Sequence, residues 1–301
     1  MKEDRLTAMA HFVAIVEKGS FSNAARALGK TLPALSRSLK ALEERLGARL
    51  LTRTTRSIAV TEFGQQYYEH CRRILQDIEA AESLASQTRE VAQGLVRVTA
   101  PLLFGRMHVA PLVAPLLAKH AGLEIELMLS DHVLSMVDDA IDVSIRIGDL
   151  EDSSLIAIPL GHVSRVVCAA PAYWKTHGKP AHPGELENHA CLLFRGLQQR
   201  GWLLRIDGEE RHWPLSPRYA CNDGAAVLSV ARAGTGVIQM MSYQVAEDIA
   251  AGKLEPVLED FAPHPLPVHA VYASGKLLPA KIRTLLDVWV PKLREVMQKF
   301  N

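Results

Sequence analysis

Cysteine is scarce in this sequence of 301 residues. The four cysteines, Cys71, Cys168, Cys191 and Cys221, lie far apart, and none forms a CxxC pair or a metal-ligand spacing with another. This pattern predicts reduced, buried thiols rather than a disulfide framework. A redox sensor built on two of them is a weaker alternative, because nothing in the sequence brings a pair together.

Long apolar runs and an N-terminal signal are also lacking. No stretch approaches about 18 uninterrupted apolar residues, the length that crosses a membrane. Residues 1–5 contain no apolar signal core, so we expect a soluble, cytosolic protein with no membrane partner. The composition, 48% hydrophobic and 22% charged, is that of a globular protein, and the length predicts two or three packed units.

The common catalytic motifs are missing as well. The sequence has no HExxH, GxSxG, GxGxxG or P-loop pattern, and its twelve histidines form no ligand-like pairs. The adjacent carboxylates Asp138-Asp139 and Glu209-Glu210 point apart on a helix or a strand, so they cannot share one substrate atom. We therefore expect no enzyme, no cofactor and no metal site.

Charge is nearly balanced overall but unevenly distributed. Residues 1–60 hold eleven Lys or Arg against five Asp or Glu, a balance of +6, whereas the whole chain carries +1. The remaining residues therefore carry −5. A positive field confined to the N-terminal end predicts contact with phosphates there.

Residues 20–47 predict two short helices joined by a turn. Ser20 occupies an N-cap position, Gly29 ends the first helix, and Pro33 lies in the first turn of the second. The second helix has one leucine face, because its leucines recur at intervals of four, three and four residues. These leucines are Leu35, Leu39, Leu42 and Leu46. Residues 6–16, with apolar side chains at helical spacing, predict a supporting helix.

The opposite face of the second helix is polar and basic. It presents Pro33, Ser36, Arg37 and Lys40. Such a helix suits the DNA major groove, although a solvated amphipathic helix gives the same pattern. Residues 49–61 then predict a short β-ribbon, with Arg53 and Arg56 near its tip. Helix, turn, helix and basic wing together favour DNA binding.

A long helix is predicted from Thr61 to roughly residue 89, since this stretch contains no proline. Its apolar residues follow a heptad rhythm, which favours a coiled coil between two subunits over packing against its own chain. They are Tyr67, Cys71, Ile74, Ile78, Ala81 and Ala85. A two-fold dimer would place its recognition helices on two DNA half-sites.

From Gly94 onward, short β-rich runs alternate with helices, which predicts an α/β fold. The expected strands cover 95–100, 123–129, 142–148, 163–170, 237–240 and 268–272. We also expect a short helix after the second strand, a hairpin around Asp207-Gly208 and a last helix from Pro279. The strands at 163–170 and 268–272 would connect two lobes around a cleft. A solute-binding protein or a small-molecule enzyme using this cleft is the alternative function.

A small-molecule effector is expected where the strands end, because helix N-termini present free N–H groups there. The candidate residues are Thr99, Ala100, Pro101, Leu102, Leu103, Phe104, His132, Arg146, Asn222 and Asp223. Arg146 is either a ligand-binding cation or a salt-bridge partner of Asp142 or Asp149. Together with the apolar 102–104 turn, it favours an organic carboxylate with an apolar portion.

Many positions in residues 19–64 match one family pattern. They are Gly19-Ser20-Phe21, Ala24-Ala25, Leu28, Pro33-Ala34-Leu35-Ser36-Arg37, Leu42-Glu43, Leu46-Gly47, Leu50-Leu51, Arg53 and Thr61-Glu62-Phe63-Gly64. This region resembles the DNA-binding domain of LysR-type transcriptional regulators, and so many matches make the signal specific. The expected DNA contacts are Ser20, Ser22, Thr31, Pro33, Ser36, Arg37, Lys40, Arg53 and Arg56.

Weaker matches cover the rest of the chain, among them residues 142–148, 170–173, 186–189 and 234–237. The resemblance implies a winged helix-turn-helix (1–60), a linker dimerisation helix (61–90) and a two-lobed α/β effector-binding domain (91–301) like type 2 periplasmic binding proteins. Lobe I would comprise 91–161 and 267–301, and lobe II 162–266. The resemblance also implies a homodimer, a dimer of dimers, double-stranded promoter DNA and RNA polymerase as a candidate partner. Met241 departs from the pattern, which usually has proline there.

Overall fold

The structure is a computed structural model that describes residues 4–53, 58–85, 92–132, 134–136, 139–150, 155–195, 201–273 and 278–300. The chain divides into two compact units. The first contains the N-terminal part of the chain through the long helix, and the second contains most of the remainder.

The first unit is a winged helix-turn-helix followed by a long helix. Its elements are α1 (Arg5–Lys18), α2 (Phe21–Ala27), α3 (Leu32–Leu46), β1 (Leu51–Arg53), β2 (Ile58–Val60) and α4 (Glu62–Ala85). The strands β1 and β2 pair antiparallel, with Leu51 opposite Val60, and form the base of the wing. The predicted order of helices and ribbon is thus confirmed. The last predicted residues of the long helix lie outside the described residues.

Local signals set the helix ends of this unit. Gly19 ends α1 with φ 65°, a left-handed angle that glycine adopts without a steric penalty. The Ser20 hydroxyl then accepts a hydrogen bond from the backbone N–H of Asn23 at 3.1 Å and caps α2. The turn between α1 and α2 is therefore short, and both of its residues have a defined capping role.

The core of the first unit is made of the apolar faces of its helices. Leu35, Leu39 and Leu42 of α3 are buried, as their spacing predicts, and Phe12 of α1 lies against them. Each such side chain contributes roughly 1.5–3 kcal/mol when fully buried. Leu6 departs from the pattern, because it is 38% exposed.

Part of the apolar face of the long helix α4 packs against the core of this unit. Cys71 is completely buried in the core, and Tyr67 packs against the same core with its ring centroid 5.9 Å from that of Phe12. The prediction that Cys71 belongs to a seam between subunits is wrong in this respect, because the core of the first unit buries it, whereas Tyr67 is only partly buried. Ile74 is 40% exposed. The side chains of Ala81 and Ala85 lie outside the described residues.

The second unit contains a five-stranded sheet with the order β4-β3-β5-β14-β6. Its strands are β3 (Gly94–Ala100), β4 (Leu123–Leu129), β5 (Val143–Ile147), β6 (Leu155–Val163) and β14 (Leu266–Ala273). β3, β4 and β5 run parallel, whereas β14 is antiparallel to both β5 and β6. The sequence interpretation had not identified β6, whose burial does not alternate regularly.

One helical run follows β3. It starts as α5 (Leu102–Phe104), passes through a π-helical turn (Gly105–Val109) and a 3-10 turn (Ala110–Leu112), and ends as α6 (Val113–Lys119). By length and composition alone this run could cross a membrane, a weak criterion that core helices of soluble proteins also meet. Phe104, Val109 and Leu116 are buried in it.

A three-stranded antiparallel sheet has the order β12-β7-β13. Its strands are β7 (Arg165–Ala169), β12 (Ile238–Met241) and β13 (Glu255–Val257). The remaining elements of the unit are α7 (Pro171–His177), a 3-10 turn (Pro183–Asn188), β8 (Leu192–Phe194), β9 (Gly201–Ile206), β10 (Glu209–Pro214), β11 (Tyr219–Cys221), α8 (Gly224–Arg232), α9 (Ser242–Ala250), a 3-10 turn (Glu259–Phe261) and α10 (Ala280–Met297). The hairpin at Asp207-Gly208 and the last helix are confirmed. The short helix expected after β4 is absent from the described residues there, which form turns.

Candidate DNA interface and effector cavity

The outer face of α3 carries the side chains predicted to touch DNA. Thr31, Pro33, Arg37 and Lys40 are exposed, and Ser36 is half-buried. Arg37 donates from Nε to the carbonyl of Pro33 at 3.4 Å. The Lys40 ammonium lies 3.6 Å from the Glu44 carboxylate in an exposed i,i+4 pair. Such pairs contribute less than about 1 kcal/mol, so DNA phosphates can replace these partners at little cost.

A buried polar contact fixes α3 against α1. Nδ1 of His11 lies 2.9 Å from Oγ of Ser38, and both residues are buried. The sequence interpretation missed this pair, because Ser38 interrupts the leucine face of α3 and offers no local signal. A hydrogen bond inside the core fixes the rotation of α3 more specifically than leucine packing alone.

The predicted DNA contacts in the turn and the wing differ in their exposure and in their hydrogen bonds. Ser20 already accepts the capping bond from Asn23, while Ser22 is exposed. Arg53 ends β1, but its side chain and all of Arg56 lie outside the described residues. The base of the wing is bound to α3 by Glu43, whose Oε1 accepts from the backbone N–H groups of Leu50 and Leu51 at 2.8 and 3.1 Å.

The second unit encloses a cavity of about 830 Å³. It lies where β3, β4 and β5 end, and β7, β12 and α9 form its other side. Five of the predicted effector-binding residues line it: Thr99, Ala100, Pro101, His132 and Arg146. A volume in this range suits a small organic ligand.

The other five predicted residues do not line this cavity. Phe104 is completely buried, and its ring lies 5.3 Å from that of Tyr243. Leu103 packs against the core around the three-stranded sheet. The Asp223 carboxylate caps α8, accepting from the Ala226 N–H at 2.8 Å. Leu102 and Asn222 complete the set that lies outside the lining.

One of the backbone N–H groups that were expected to be free at the 99–104 turn already donates to a side chain of the protein. Oδ1 of Asp131 accepts a hydrogen bond from the backbone N–H of Leu102 at 3.0 Å. A carboxylate of the protein therefore occupies the place where the sequence predicted a ligand anion. This turn by itself favours an anionic ligand less than expected.

Arg146 is held by neutral acceptors. Its Nε donates to Oγ of Ser144 and its Nη2 to the carbonyl of Leu134, both at 3.3 Å. The predicted alternative, a salt bridge to Asp142 or Asp149, is not formed among the described residues. Asp142 instead accepts from the backbone N–H of Arg97 at 2.8 Å. The Arg146 charge is thus oriented towards the cavity without being neutralised by these aspartates.

Several cavity residues were not among those predicted, notably Arg165, Gln239, Tyr243 and Gln244. Nη1 of Arg165 is buried without a hydrogen-bond partner in the described structure, and burial lowers the pKa of this guanidinium. Burial also raises the pKa of Tyr243, and the Asp131 charge adds to this effect. A sequence signal existed for Arg165, because it is a lone cation at the predicted crossing between lobes.

The backbone at Met241 shows how methionine can occupy a position where the family pattern usually has proline. It is the N-cap of α9, with φ −74° and ψ 146°, angles that proline also adopts. Its backbone N–H donates to Oε1 of Gln244 at 2.9 Å, a bond that proline could not make. Methionine therefore retains the backbone geometry and adds a cap to the following helix.

Comparisons with known proteins agree with this architecture. Residues 6–65 match the family model "Bacterial regulatory helix-turn-helix protein, lysR family", and residues 89–293 match "LysR substrate binding domain". The HTH-type transcriptional regulator CrgA of Neisseria meningitidis serogroup B is 35% identical over 283 residues, covering 94% of this chain and 95% of CrgA. The HTH-type transcriptional activator AaeR of Escherichia coli is 31% identical over 299 residues, covering 99% and 97%.

Solved structures of full-length regulators have the same fold. The structure of CrgA from Neisseria meningitidis, a LysR-type regulator, covers 97% of this chain and 99% of its own, at 33% identity and a TM-score of 0.62. The full-length Vibrio cholerae virulence activator AphB covers 96% and 99%, at 28% identity and a TM-score of 0.60.

The chain belongs to the LysR family of transcriptional regulators. It combines a DNA-binding helix-turn-helix domain with an effector-binding domain, and its relatives are regulators and not enzymes. The predicted family, function class and fold class are thus confirmed, and nothing supports the solute-binding or enzyme alternative.

Proposed function

We propose that the chain acts in the cytoplasm as a homodimer that joins through α4 and reads two half-sites of promoter DNA with its α3 helices. An organic carboxylate with an apolar portion binds in the 830 Å³ cavity and alters that reading. The working boundaries are residues 1–60 for DNA binding, 61–90 for dimerisation and 91–301 for the effector, with lobes divided as expected above. Two dimers associate into a tetramer, and RNA polymerase is the partner at activated promoters.

The DNA-binding part of the proposal is carried by the outer face of α3. The exposed side chains of Arg37 and Lys40 lie opposite a buried leucine face, so the helix can enter a groove without unfolding its core. Arg37 can donate two hydrogen bonds to guanine, whereas Lys40 acts as a point charge near phosphate. The net charge of +6 in residues 1–60 attracts the duplex as a whole.

The effector part is carried by Arg146. Arg146 lines a ligand-sized cavity, and the two acceptors of its guanidinium in the described structure, Ser144 and the Leu134 carbonyl, are neutral. A carboxylate would form a charge-assisted pair with it. Apolar contact comes from the cavity wall, including Ile145, Leu155 and Val271, in place of the 102–104 turn. A ligand that binds one arrangement of the protein more tightly than another increases the population of that arrangement, to an extent set by the difference in affinity. Ligand binding would regulate DNA binding in this way.

DNA reading is tested by gel-shift titration of Arg37→Ala and Arg53→Ala. The specific probe is a duplex that the parent protein selects from random DNA, and a scrambled duplex serves for comparison. Loss of a base contact by Arg37→Ala should weaken specific binding by about 1–3 kcal/mol and leave scrambled binding nearly unchanged. Arg53→Ala should weaken both and reduce the salt slope by about one phosphate contact. Arg211→Ala, which removes an exposed cation of the second unit, is the control. Unchanged binding by both variants would reject the assigned DNA face.

Effector binding is tested by a thermal-shift screen of benzoate, benzylamine and benzamide. Benzoate should stabilise the parent protein, and Arg146→Ala should abolish that stabilisation. If only benzylamine stabilises the protein, or if Arg146→Ala leaves the benzoate effect intact, the proposed anion site is wrong while the DNA-binding assignment stands.

A further inference from the structure

The first residue of α3 exposes an apolar side chain. Leu32 is 47% exposed, a larger fraction than for Leu6 at 38% or Leu117 at 36%. Among the described residues, Leu32 belongs neither to the core of the first unit nor to the half-buried side chains that pack against that core. The leucine therefore has no packing role among the described residues of this unit.

The residues next to Leu32 are also exposed and uncharged. Thr31 is the N-cap residue of α3, and Pro33 lies in the first turn of the helix. We call these three residues the tip of α3. Exposed cations lie on both sides of the tip along the chain, since Lys30 precedes it and Arg37 follows it. The tip is thus a short uncharged segment with an apolar centre, placed between positive charges.

Helix geometry directs the Leu32 side chain towards the leading end of α3. The Cα–Cβ bonds of an α-helix tilt towards its N-terminus, so a side chain in the first turn projects beyond the start of the helix. A recognition helix lies in the major groove with its N-terminal residues at the base edges. In the proposed DNA complex, Leu32 would therefore lie closer to the bases than Lys40, which is two turns further along α3.

The major groove offers a leucine side chain one methyl group to contact, the C5-methyl of thymine. The other groups that identify a base pair in that groove are hydrogen-bond donors and acceptors, with which leucine cannot pair. Covering those polar groups with an apolar side chain costs free energy, because they lose water without gaining a partner. Contact with a methyl group instead removes apolar surface of both partners from water and is favourable.

We propose that Leu32 contacts the C5-methyl group of a thymine in each half-site and so contributes to the choice of operator sequence. The proposal rests on the proposed DNA-binding function and adds to it a base contact without hydrogen bonds. Leu32 would distinguish thymine from the other bases at one position, while Arg37 recognises guanine by hydrogen bonds and Lys40 binds phosphate.

The test removes the thymine methyl group without changing base pairing. In the duplex that the full-length parent protein selects from random DNA, each thymine is replaced in turn by deoxyuridine, which lacks only the C5-methyl group. Gel-shift titration should identify a thymine in each half-site whose replacement weakens binding about 4-fold, the equivalent of about 0.8 kcal/mol for one buried methyl group. Leu32→Ala should weaken binding to the thymine duplex at least as much, and it should bind the thymine and deoxyuridine duplexes equally.

Control variants separate this contact from general effects on the protein. Leu6→Ala makes the same change at an exposed leucine of α1 and should preserve the difference between the two duplexes. Leu32→Met keeps an apolar side chain of similar volume and should preserve most of that difference. A scrambled duplex, which the protein binds through phosphates, should bind Leu32→Ala as tightly as the parent.

The outcomes distinguish this proposal from the DNA-binding function on which it rests. If no thymine is sensitive to the loss of its methyl group, or if the sensitivity persists in Leu32→Ala, the assignment of Leu32 is wrong. Equal weakening of the selected and the scrambled duplex by Leu32→Ala would also overturn it, because the side chain would then have no role in specificity. If the parent protein selects no sequence from random DNA, the DNA-reading function itself fails, and Arg37→Ala tests that function independently of Leu32.

Discussion

Glu43 of α3 accepts a hydrogen bond from the backbone N–H of Leu50 at 2.8 Å, and the same oxygen accepts from Leu51 at 3.1 Å. One side chain of α3 therefore binds the backbone where the first strand of the wing begins. The neighbouring carboxylate, Glu44, is exposed and pairs with Lys40. Glu43 and Glu44 are thus adjacent but have different partners, so a substitution of Glu44 is a matched control for a substitution of Glu43.

Glu43→Ala should weaken DNA binding without removing any predicted DNA contact. The substitution leaves two backbone donors of the wing without their acceptor, which should lower the free energy of unfolding by about 1–3 kcal/mol. Glu44→Ala removes only an exposed ion pair and should change stability by less than about 1 kcal/mol. Urea unfolding and gel-shift titration measure the two effects. Equal behaviour of the two variants would show that the bond to the wing has no energetic role.

Ile74→Asp should weaken the proposed dimer. Ile74 is 40% exposed on α4, in contrast to Cys71, which the first unit buries completely. A carboxylate placed in an apolar subunit interface costs several kcal/mol unless it is paired. Light scattering should therefore report a smaller mass than for the parent, and binding to a two-half-site duplex should fall more than binding to a single half-site.

The control for this prediction is Gln66→Asp, which adds the same charge at an exposed polar position of α4. It should retain the parent mass. A parent-like mass and affinity for Ile74→Asp would mean that the dimer forms elsewhere on the protein.

Acid should destabilise the second unit through His108. Burial lowers the pKa of this imidazole; the Glu247 charge opposes the effect and Lys299 adds to it. As pH falls below 6.5, the unfolded chain takes up the proton while the folded protein resists it, so stability is lost in that window. His108→Phe, which keeps a ring beside Phe104, should show a smaller fall in melting temperature between pH 7.5 and 5.5. His212→Gln, at an exposed position of β10, should behave like the parent.

Cysteine labelling should be strongly selective. Burial raises the pKa of Cys71 and Cys191 to about 11 and that of Cys168 to about 12, so these thiols hold little thiolate near pH 8. Cys221 is only partly buried. Iodoacetamide should therefore modify Cys221 well before the others in the native protein, as followed by peptide mass spectrometry. Cys221→Ser should remove the fast phase, and simultaneous labelling of all four would contradict the burial pattern.

The sequence predicted the DNA-binding unit better than the cavity. Leucine spacing, Ser20 and Gly29 are local signals, and each acts within a few residues of the structure it specifies. The heptad pattern of α4 located an apolar face but could not say which partner covers it, so Cys71 was assigned to the wrong interface. The spacing of apolar residues shows which face of a helix is apolar, but it does not show which segment or subunit packs against that face.

The cavity depends on residues that are distant along the chain. Arg146 was found because it ends a recognisable strand, but Asp131 bonds to Leu102 across 29 positions and Tyr243 packs against Phe104 across a longer separation. Such pairs leave no periodic trace in the sequence. Arg165 is a lone cation at the predicted crossing between lobes, but the sequence could not show that one of its donors is buried without a partner in the described structure.

Because β14 comes late in the chain but lies inside the five-stranded sheet, that sheet can be completed only late in synthesis. In the described sheet, β14 lies between β5 and β6, and it alone joins β6 to the other strands. The ribosome must therefore release the chain beyond Ala273 before that sheet can close. The first unit needs only residues up to α4 for its core, so the nascent regulator can present its DNA-reading surface while its ligand-responsive part is still unfinished.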